Sequence, residues 1–331
     1  MNDSLKGIRV LVTGAGGFIG SALCEQLVTS GAKVKAFVRY NSRGDPGLLK
    51  DYPHQVVEEM EIISGDVRDQ DAINQACKGI DFVFHLAAFI SIPYSYLHPY
   101  EVIESNILGT VNVLLASKNN SVQKIIHTSS SEVYGTAESV PMNENHPLKA
   151  QSPYAASKIG ADKIVESFNC SYDLPVIIVR PFNTYGPRQS LRAVIPSIIS
   201  QALRSRTIHI GSMDPVRDFT YISDTVNGFI KAATAEIPFG TVIHLGTGKG
   251  YSISEVITKV ENILVKKFKI ITDQERIRPQ KSEVLQLVSD NSYARKNLKW
   301  LPKVELEEGL ELTIDWYKRA PNPFDTIRYI K

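Results

Sequence analysis

Two short stretches of the sequence contain residue types that can move protons. The stretch "SPYAASK" contains Tyr154 and Lys158, which are one helical turn apart and therefore share a helix face. An ammonium group close to a phenol stabilises the phenolate, so this spacing predicts a lowered pKa for Tyr154 and a base for an alcohol. Upstream, "TSSSEVYG" places Glu132 beside Ser130 and Ser131 at the end of an apolar run. Together the two stretches predict acid–base catalysis in a cleft.

A glycine-rich stretch near the N-terminus predicts a dinucleotide site. An apolar run leads directly into "TGAGGFIG", in which the glycines are spaced G-x-x-G-x-x-G, and a helical segment follows. Glycines at these positions permit a tight turn and let the backbone approach a pyrophosphate, which the helix N-terminus attracts. The predicted contacts are Gly14, Gly16, Gly17, Phe18, Ile19 and Gly20.

The end of the second predicted strand bears on the choice of cofactor. Dinucleotide folds that bind NAD place an acidic residue there, on the ribose 2′-hydroxyl, but "VRYNSRG" has none. Arg39, followed by Asn41, Ser42 and Arg43, suits a 2′-phosphate and favours NADP over NAD. After the third strand, Asp66 and Val67 lie where a carboxylate can accept from the adenine amino group, although Asp66 is equally suited to cap the next helix.

The elements that must hold these residues form a repeating pattern. Continuous β-branched runs alternate with helix-length segments up to residue 180, as in a parallel sheet buried on both faces. This predicts an α/β fold with a Rossmann-type doubly wound parallel sheet and a smaller, interleaved C-terminal substrate domain. Because "TVIHLGTG" resembles a further sheet strand, we assign residues 1–179 and 215–248 to dinucleotide binding and residues 180–214 and 249–331 to the substrate domain.

Composition excludes several other classes of protein. A net charge of +2 gives no electrostatic reason to expect a nucleic-acid partner, and no apolar run is long enough to cross a membrane. The three cysteines, Cys24, Cys77 and Cys170, lack metal-ligand spacing, as do the histidines, and no metal site is predicted. We therefore expect a soluble, cytoplasmic protein with reduced cysteines.

These motifs together resemble the extended short-chain dehydrogenase/reductase family. The resemblance rests on "TGAGGFIG", "GDV", "HLAA", "TSSSEVYG", Tyr-x-x-x-Lys and "RPFNTYGPRQ", and it covers nearly the whole chain. It implies a tightly bound nicotinamide cofactor, a nucleoside-diphosphate-sugar substrate and a homodimer formed through two helices per subunit. It also implies cofactor contacts from Leu86, Ala87, Ala88, Asn106, Thr128, Tyr154, Lys158, Pro181 and Asn183.

Within that family, the strand-end motif separates different reactions. By resemblance, Ser130 and Tyr154 contact the sugar 4-hydroxyl, and simple 4-epimerases carry a small or hydrophobic residue where Glu132 stands. Glutamate there is typical of hexose 4,6-dehydratases and of UDP-glucuronate decarboxylases, but the decarboxylase arginine before the tyrosine is missing. Since Ser131 replaces the acidic aspartate of dTDP-glucose dehydratases, Glu132 is expected both to remove the C5 proton and to protonate the leaving C6 hydroxyl.

The closest resemblance is to UDP- or GDP-N-acetylglucosamine 4,6-dehydratases of bacterial legionaminic and pseudaminic acid pathways. UDP-N-acetylglucosamine is the favoured substrate; a 5,6-ene product, an epimerase, a decarboxylase and a non-enzymatic NADP redox sensor remain alternatives. The resemblance implies that Asn183, Arg217 and Arg278 bind the diphosphate. Arg192, Ala193 and Val194 are expected near the base or phosphate, and Ser91, Ile92, Pro93 and Tyr94 either line the sugar pocket or pack between the lobes.

Overall fold

A computed structural model describes residues 5–320. Its strands, numbered along the chain, are β1 Arg9–Thr13, β2 Lys33–Arg39, β3 Met60–Gly65, β4 Phe82–His85, β5 Lys124–Thr128, β6 Val176–Pro181, β7 Asn183–Tyr185, β8 Thr207–Ile210, β9 Val216–Tyr221, β10 Val242–Leu245, β11 Gly250–Ser252, β12 Lys269–Thr272 and β13 Gln286–Leu287.

The helices connect these strands and cover the sheet. They are α1 Phe18–Thr29, α2 His54–Glu58, α3 Gln70–Ala76, α4 Ile92–Leu97, α5 Pro99–Ile103, α6 Gly109–Asn119, α7 Pro153–Tyr172, α8 Val194–Arg204, α9 Ile222–Thr234, α10 Ile253–Leu264, α11 Ser292–Asn297 and α12 Leu306–Arg319. Short 3₁₀ helices span Gly47–Asp51, Ser131–Tyr134, Gln274–Arg276 and Gln280–Ser282, and a π-helical turn, Glu104–Leu108, joins α5 to α6.

Seven parallel strands form the main sheet, in the order β10-β6-β5-β4-β1-β2-β3. The apolar side chains of the central strands β1, β4, β5 and β6 are buried on both faces, as the uninterrupted β-branched runs predict, whereas Ile62 of the edge strand β3 is exposed. The prediction of a doubly wound α/β fold is therefore confirmed. The strand order reverses between β1 and β4, and in such sheets ligands bind beyond the carboxyl ends of the strands at that point.

A smaller group of strands lies outside this sheet. β9 pairs with β7, β11 and β13, while β8 pairs with β12. Helices α8, α10 and α12 cover these strands around a separate apolar core that contains Ile198, Phe219, Val256 and Leu310. Residues 216–221, which we assigned to the dinucleotide domain, thus pair with the smaller sheet.

The chain crosses between the two groups of strands more than once. β10 returns to the edge of the main sheet beside β6, in agreement with the prediction from "TVIHLGTG". Near the C-terminus, Ala294, Leu298 and Trp300 pack into the core of the main sheet, although we assigned residues 249–331 to the substrate domain. Residues 321–331 of that assignment, and residues 1–4 of the first domain, lie outside the described residues.

A buried carboxylate fastens the smaller sheet to the larger one. Asp218 of β9 accepts hydrogen bonds from the backbone and hydroxyl of Thr247, from the Gly248 backbone, and from the backbone and hydroxyl of Ser289. Thr247 follows β10, so the contact ties β9 to the main sheet at a fixed place. Within residues 5–320, no helix combines the length and the apolar character that crossing a bilayer requires.

Candidate active site

The glycine loop between β1 and α1 is closely packed. Gly14 has φ +72°, and a Cβ there would lie 2.7 Å from the Ala87 backbone nitrogen. A Cβ on Gly20 would clash with the Gly14 carbonyl oxygen, so both positions require glycine. Helix α1 begins after Gly17 without a side-chain cap, which leaves its first backbone N–H groups, including those of Phe18 and Ile19, directed out of the helix. This cradle fits a dinucleotide pyrophosphate.

The loop after β2 is built by its own polar side chains. Asn41 accepts from the backbone of Arg43 and Asp45 and donates to the Asp45 carbonyl, so its side chain shapes the turn. The loop then approaches the glycine loop, where a Cβ on Gly16 would lie 2.6 Å from the Pro46 oxygen. Ser42 and Arg43 remain exposed. Asn41, one of the predicted contacts to the ribose phosphate, thus makes its side-chain hydrogen bonds within the loop itself.

Arg39 has partners that the sequence did not indicate. Its guanidinium lies 3.4 Å from the Glu101 carboxylate, and its Cζ is 5.0 Å from the centre of the Phe89 ring. Glu101 also accepts from the Tyr94 hydroxyl at 2.5 Å. The Arg39 side chain is nevertheless 58% exposed, so its charge stays accessible at the sheet edge.

Asp66 is engaged by a neighbour. It accepts from two nitrogens of the Arg68 guanidinium and from the Arg68 backbone, and the hydrogen bonds from the guanidinium are the main cause of the lowered pKa of Asp66. The next helix, α3, is capped by Asp69, so the alternative that Asp66 caps it is wrong. Val67 packs against Gly109, where an added Cβ would meet its Cγ2 at 2.8 Å.

The loop after β4 is held from two sides. Leu86 donates to the Thr13 carbonyl, and Ala87 donates to the Thr13 hydroxyl, while Ala88 follows in the same turn. Asn106, within the π-helical turn, accepts from the Phe89 backbone and donates to the Phe89 carbonyl and to Ser157. The Asn106 side chain therefore fixes this loop against α7.

The end of β5 presents the hydroxyl-rich motif in an ordered turn. Ser130 caps the 3₁₀ helix Ser131–Tyr134 by accepting from the Glu132 backbone at 3.2 Å. The Thr128 hydroxyl is buried without a hydrogen-bond partner among the described residues. Ser131 is buried, whereas Ser130 and Glu132 are half-buried, so the latter two are the members of the motif open to the cleft.

Tyr154 and Lys158 lie in the first turns of α7, which Ser152 caps. The Lys158 ammonium donates to the Thr128 carbonyl at 2.7 Å and joins the helix to the end of β5. Burial raises the pKa of Tyr154 to about 12, partly offset by the Ser130 hydrogen bond, and the Glu132 charge raises it further. Burial thus raises this pKa in the chain alone, and the lowering of the Tyr154 pKa by Lys158 stays a prediction.

Burial also acts on Lys158. It lowers the pKa of the ammonium to about 8, and the charge of Asp162 opposes that effect. Asp162 lies one helical turn beyond Lys158, fully buried, and accepts from Ser129 and from Arg180 of β6. Neither Asp162 nor Arg180 is part of the predicted site. The helical spacing of Tyr154, Lys158 and Asp162 is the sequence signal that could have indicated the acid, but it was not used.

Two arginines expected to bind the diphosphate lie near the catalytic motif. Burial lowers the pKa of Arg217 on β9, while the carboxylates of Glu132 and Glu283 act in the opposite direction. Glu283 lies 3.5 Å from the Arg217 guanidinium and 3.6 Å from that of Arg278. The fold thus brings both arginines and Glu132 into one region, together with Glu283, which the sequence analysis missed.

The other predicted substrate contacts are partly buried polar groups and partly exposed ones. The Asn183 amide oxygen and the Arg278 nitrogen nearest Glu283 are buried without a hydrogen-bond partner in the described structure, so both are able to bind a polar group. Arg192 is exposed, and its charge acts on Tyr94, which places the loop before Ala193 and Val194 near α4. Pro181 ends β6.

Helix α4 contains residues with packing roles. Ser91 caps the helix by accepting from the Tyr94 backbone, with Pro93 in the first turn, and Ile92 is only 7% exposed. Ile92 is thus buried, and whether this loop lines the sugar pocket or packs between the lobes stays a prediction. Across residues 5–320, no group of three or more His, Cys, Asp or Glu side chains is arranged to hold a metal ion.

The cleft is that of a dinucleotide-dependent enzyme, with a glycine cradle, a Ser–Tyr–Lys set and an added carboxylate. The family model described as GDP-mannose 4,6 dehydratase matches residues 11–313, and the chain belongs to this family of extended short-chain dehydrogenases/reductases. It is therefore an enzyme of the nucleotide-sugar dehydratase and epimerase group.

Individual relatives include both kinds of enzyme. A UDP-glucuronate 4-epimerase of Thermodesulfobacterium geofontis is 33% identical over 93% of this chain and 95% of its own. The dTDP-D-glucose 4,6-dehydratase of Mus musculus is 30% identical over 94% and 89%. Sequence similarity at this level shows the family. It does not separate dehydration from epimerisation, because relatives of both kinds match to a similar degree.

Solved structures give the same result. DesIV, a dTDP-glucose 4,6-dehydratase from Streptomyces venezuelae with NAD and TYD bound, has a TM-score of 0.83 and 26% identity over 94% of this chain and 97% of its own. A UDP-N-acetylglucosamine 4-epimerase from Methanobrevibacter ruminantium M1, in complex with UDP-N-acetylmuramic acid, has a TM-score of 0.84 and 30% identity over 95% and 99%. A nicotinamide cofactor and a nucleotide-sugar substrate are thus supported for this family.

Proposed function

We propose that the protein is a nucleotide-sugar 4,6-dehydratase that converts UDP-N-acetylglucosamine to a UDP-4-keto-6-deoxy-N-acetylhexosamine. The observation that carries this proposal is the position of Glu132. Glu132 follows Ser130 at the end of β5, half-buried, and its charge acts on both Tyr154 and Arg217. A carboxylate near both the group proposed to deprotonate the 4-hydroxyl and the arginine expected at the diphosphate is suited to act on C5 and C6 of the same sugar.

The chain's own residues divide the proton transfers between them. The reaction requires Tyr154 as the phenolate, which the Lys158 ammonium stabilises; in that form Tyr154, hydrogen-bonded to Ser130, accepts the proton of the 4-hydroxyl and becomes neutral. A bound nicotinamide cofactor supplies a hydride acceptor at C4 and a hydride donor at C6. Once C4 is a ketone the C5 proton is acidic, and Glu132 removes it and protonates the departing C6 hydroxyl. When the hydride is returned to C6, C5 takes up one proton, which balances the proton that Tyr154 accepted. The net change is then the loss of one water, with no net use of cofactor.

Three alternatives act through the same cleft. Release after elimination gives a 5,6-ene sugar nucleotide, and oxidation and reduction at C4 alone give a 4-epimerase, an activity found among the relatives. Decarboxylation of UDP-glucuronate is the third. A non-enzymatic NADP sensor is disfavoured because Tyr154, Lys158 and Glu132 are all present around one cleft.

Mass spectrometry separates these possibilities. The purified protein is incubated with UDP-, GDP- and dTDP-linked hexoses, including UDP-N-acetylglucosamine, and the products are weighed. The proposal requires loss of the mass of one water from UDP-N-acetylglucosamine together with a carbonyl that reacts with hydrazine. An isomer of unchanged mass would instead establish an epimerase, and no turnover of any sugar would overturn the enzyme assignment.

For the cofactor we propose NADP. The support is the absence of an acid at the end of β2, where Arg39, Ser42 and Arg43 are exposed. DesIV binds NAD, so the comparison itself supports a nicotinamide cofactor of either kind. Thermal denaturation with NADP and with NAD measures the preference directly, and we expect the larger stabilisation with NADP.

A homodimer is also part of the proposal. Tyr100, Ile103 and Leu108, on α5 and the π-helical turn, are 74%, 43% and 53% exposed, and Leu97 at the end of α4 is 58% exposed. These apolar side chains follow one another beside α7, as an interface between two copies would require. Analytical ultracentrifugation should give twice the mass of the chain for the wild type and a monomer for Leu108→Glu.

A further inference from the structure

An ion pair lies buried beneath the catalytic residues and takes no part in the proton transfers described above. Asp162 of α7 accepts from two nitrogens of Arg180 on β6, at 2.8 and 3.3 Å. Their side chains are 0% and 3% exposed. Burying two charges costs solvation that the attraction between them only partly returns, so the pair is weak evidence for a stabilising role. Its hydrogen bonds point to another role.

One end of the pair holds the residue before Ser130. The Ser129 hydroxyl donates to the Asp162 carboxylate at 2.7 Å, and both groups are buried. Ser129 is also fixed through its backbone, which donates to the Val179 carbonyl of β6. The backbone that leads into Ser130 is therefore attached both to α7 and to the neighbouring strand.

The other end of the pair holds the residue after Glu132 and Val133. Arg180 donates to the Tyr134 hydroxyl at 2.6 Å, with its Cζ 5.0 Å from the centre of the same ring. Tyr134 is fully buried and also lies 2.5 Å from His244 of β10. Tyr134 ends the 3₁₀ helix that contains Ser131 and Glu132.

The pair is thus hydrogen-bonded to both ends of the turn 129–134, through Ser129 and through Tyr134. Asp162 lies on α7, the helix that also contains Tyr154. Asp162 follows Tyr154 by two helical turns on the same face of α7. We propose that Asp162 and Arg180 are positioning residues that fix the segment 129–134 relative to Tyr154. In this role, Asp162 aligns Ser130 through Ser129, and Arg180 aligns Glu132 through Tyr134. This assignment rests on the proposed dehydratase function.

Removing the Ser129–Asp162 contact and removing the Tyr134–Arg180 contact should change different steps of the reaction. Ser129→Ala loosens the side of the turn next to Ser130, so oxidation at C4 should slow about ten-fold, with no build-up of reduced cofactor. Tyr134→Phe loosens the side next to Glu132, so oxidation at C4 should continue while removal of the C5 proton slows about ten-fold. Reduced cofactor should then accumulate. A general weakening of the fold would slow both steps by the same factor.

A single-turnover experiment distinguishes these outcomes. The purified holoenzyme is mixed with UDP-N-acetylglucosamine tritiated at C5; absorbance of the reduced nicotinamide reports oxidation, and tritium in water reports removal of the C5 proton. Two control variants remove buried hydroxyls elsewhere: Tyr185→Phe, whose hydroxyl donates to the Leu306 carbonyl, and Ser117→Ala on α6. Neither control should change either rate by more than about two-fold.

Each result has a defined meaning. Accumulation of reduced cofactor in Tyr134→Phe, but not in Ser129→Ala, supports the assignment. Equal slowing of both steps in both variants, or unchanged rates in both, overturns it while leaving the dehydratase function in place. If the wild-type protein shows neither oxidation nor tritium release with any sugar nucleotide of the panel, the proposed function itself fails, and the positioning role fails with it.

Discussion

The carboxyl ends of β5 and β2 lie in the same sheet but are built in opposite ways. At β5, Tyr154 and Lys158 are 6% and 4% exposed, and Ser129, Asp162 and Arg180 hydrogen-bond beneath them. At β2, the Arg39 side chain is 58% exposed and has one carboxylate partner at 3.4 Å. The proton-transfer geometry is therefore set before a ligand arrives, whereas the proposed 2′-phosphate site can adjust to what it binds.

Glu132→Gln should have the largest effect at the β5 end. Removing the acid–base group should slow dehydration about 10³-fold, because positioned proton transfer contributes on the order of 10²–10⁴ in rate. Oxidation at C4 should survive, so reduced cofactor should accumulate on mixing with substrate. Glu138→Gln, an exposed glutamate a few residues further along the chain, is the matched control and should behave as wild type. Wild-type product formation by Glu132→Gln would remove the central claim.

Asp162→Asn tests how rigidly the β5 end is built. The change leaves Arg180 buried without its counter-charge, so the free energy of unfolding should fall by about 3–5 kcal/mol. Urea denaturation measures it. Asp315→Asn breaks an exposed pair with Arg319 and should change stability by less than about 1 kcal/mol. Equal effects for the buried and the exposed pair would mean that the β5 end is not stabilised more strongly than an exposed helix surface.

The pH dependence of stability sharpens the same contrast. Burial lowers the pKa of Lys158 from 10.5 to about 8, so between these values the unfolded chain binds the proton that the folded chain has released. The contribution of Lys158 to the free energy of unfolding should therefore rise with pH from about 8 towards 10, by up to about 3 kcal/mol. Denaturant titrations across this range should show the rise in the wild type relative to Lys158→Met. A constant difference between the two proteins would mean that Lys158 titrates normally.

Arg39→Ala should give the smallest effect, at the open β2 end. Loss of the guanidinium should weaken NADP about ten-fold, because a charge-assisted contact to a phosphate is worth roughly 1.5–3 kcal/mol. NAD binding should change little. Isothermal titration with both cofactors measures this, with Lys33→Ala at the other end of β2 as the control. Equal loss for both cofactors would mean that Arg39 serves the loop through Glu101 and Phe89 rather than a 2′-phosphate.

Local patterns predicted much of the fold because they depend on neighbours in sequence. Six β-branched runs gave the strands β1 to β6, and a seventh gave β10. The same local reasoning failed where a side chain has an unforeseen neighbour. Asn41 is used by its own turn, and Asp66 is held by Arg68.

Some features could be found only after the chain was folded. Glu283 lies between Arg217 and Arg278 because the segment before β13 passes beside β9. Arg180 and Tyr134 are hydrogen-bonded although they are 46 positions apart in the sequence, and no periodic pattern links them. Such pairs arise from strand order and crossover geometry, which fix distances that the sequence does not display.

The sequence by itself determined the doubly wound fold, the glycine cradle and the residue types at the end of β5, since hydrophobic periodicity and short motifs encode them directly. Only the tertiary structure decided which of those residues are buried and which already have hydrogen-bond partners within the protein. It also decided that Asp162 and Arg180 are hydrogen-bonded to the two ends of the turn that contains Glu132. Burial and long-range hydrogen bonds depend on how β5, β6, β10 and α7 pack together, and that packing gives the turn at Glu132 a fixed position while leaving Arg39 free to adjust.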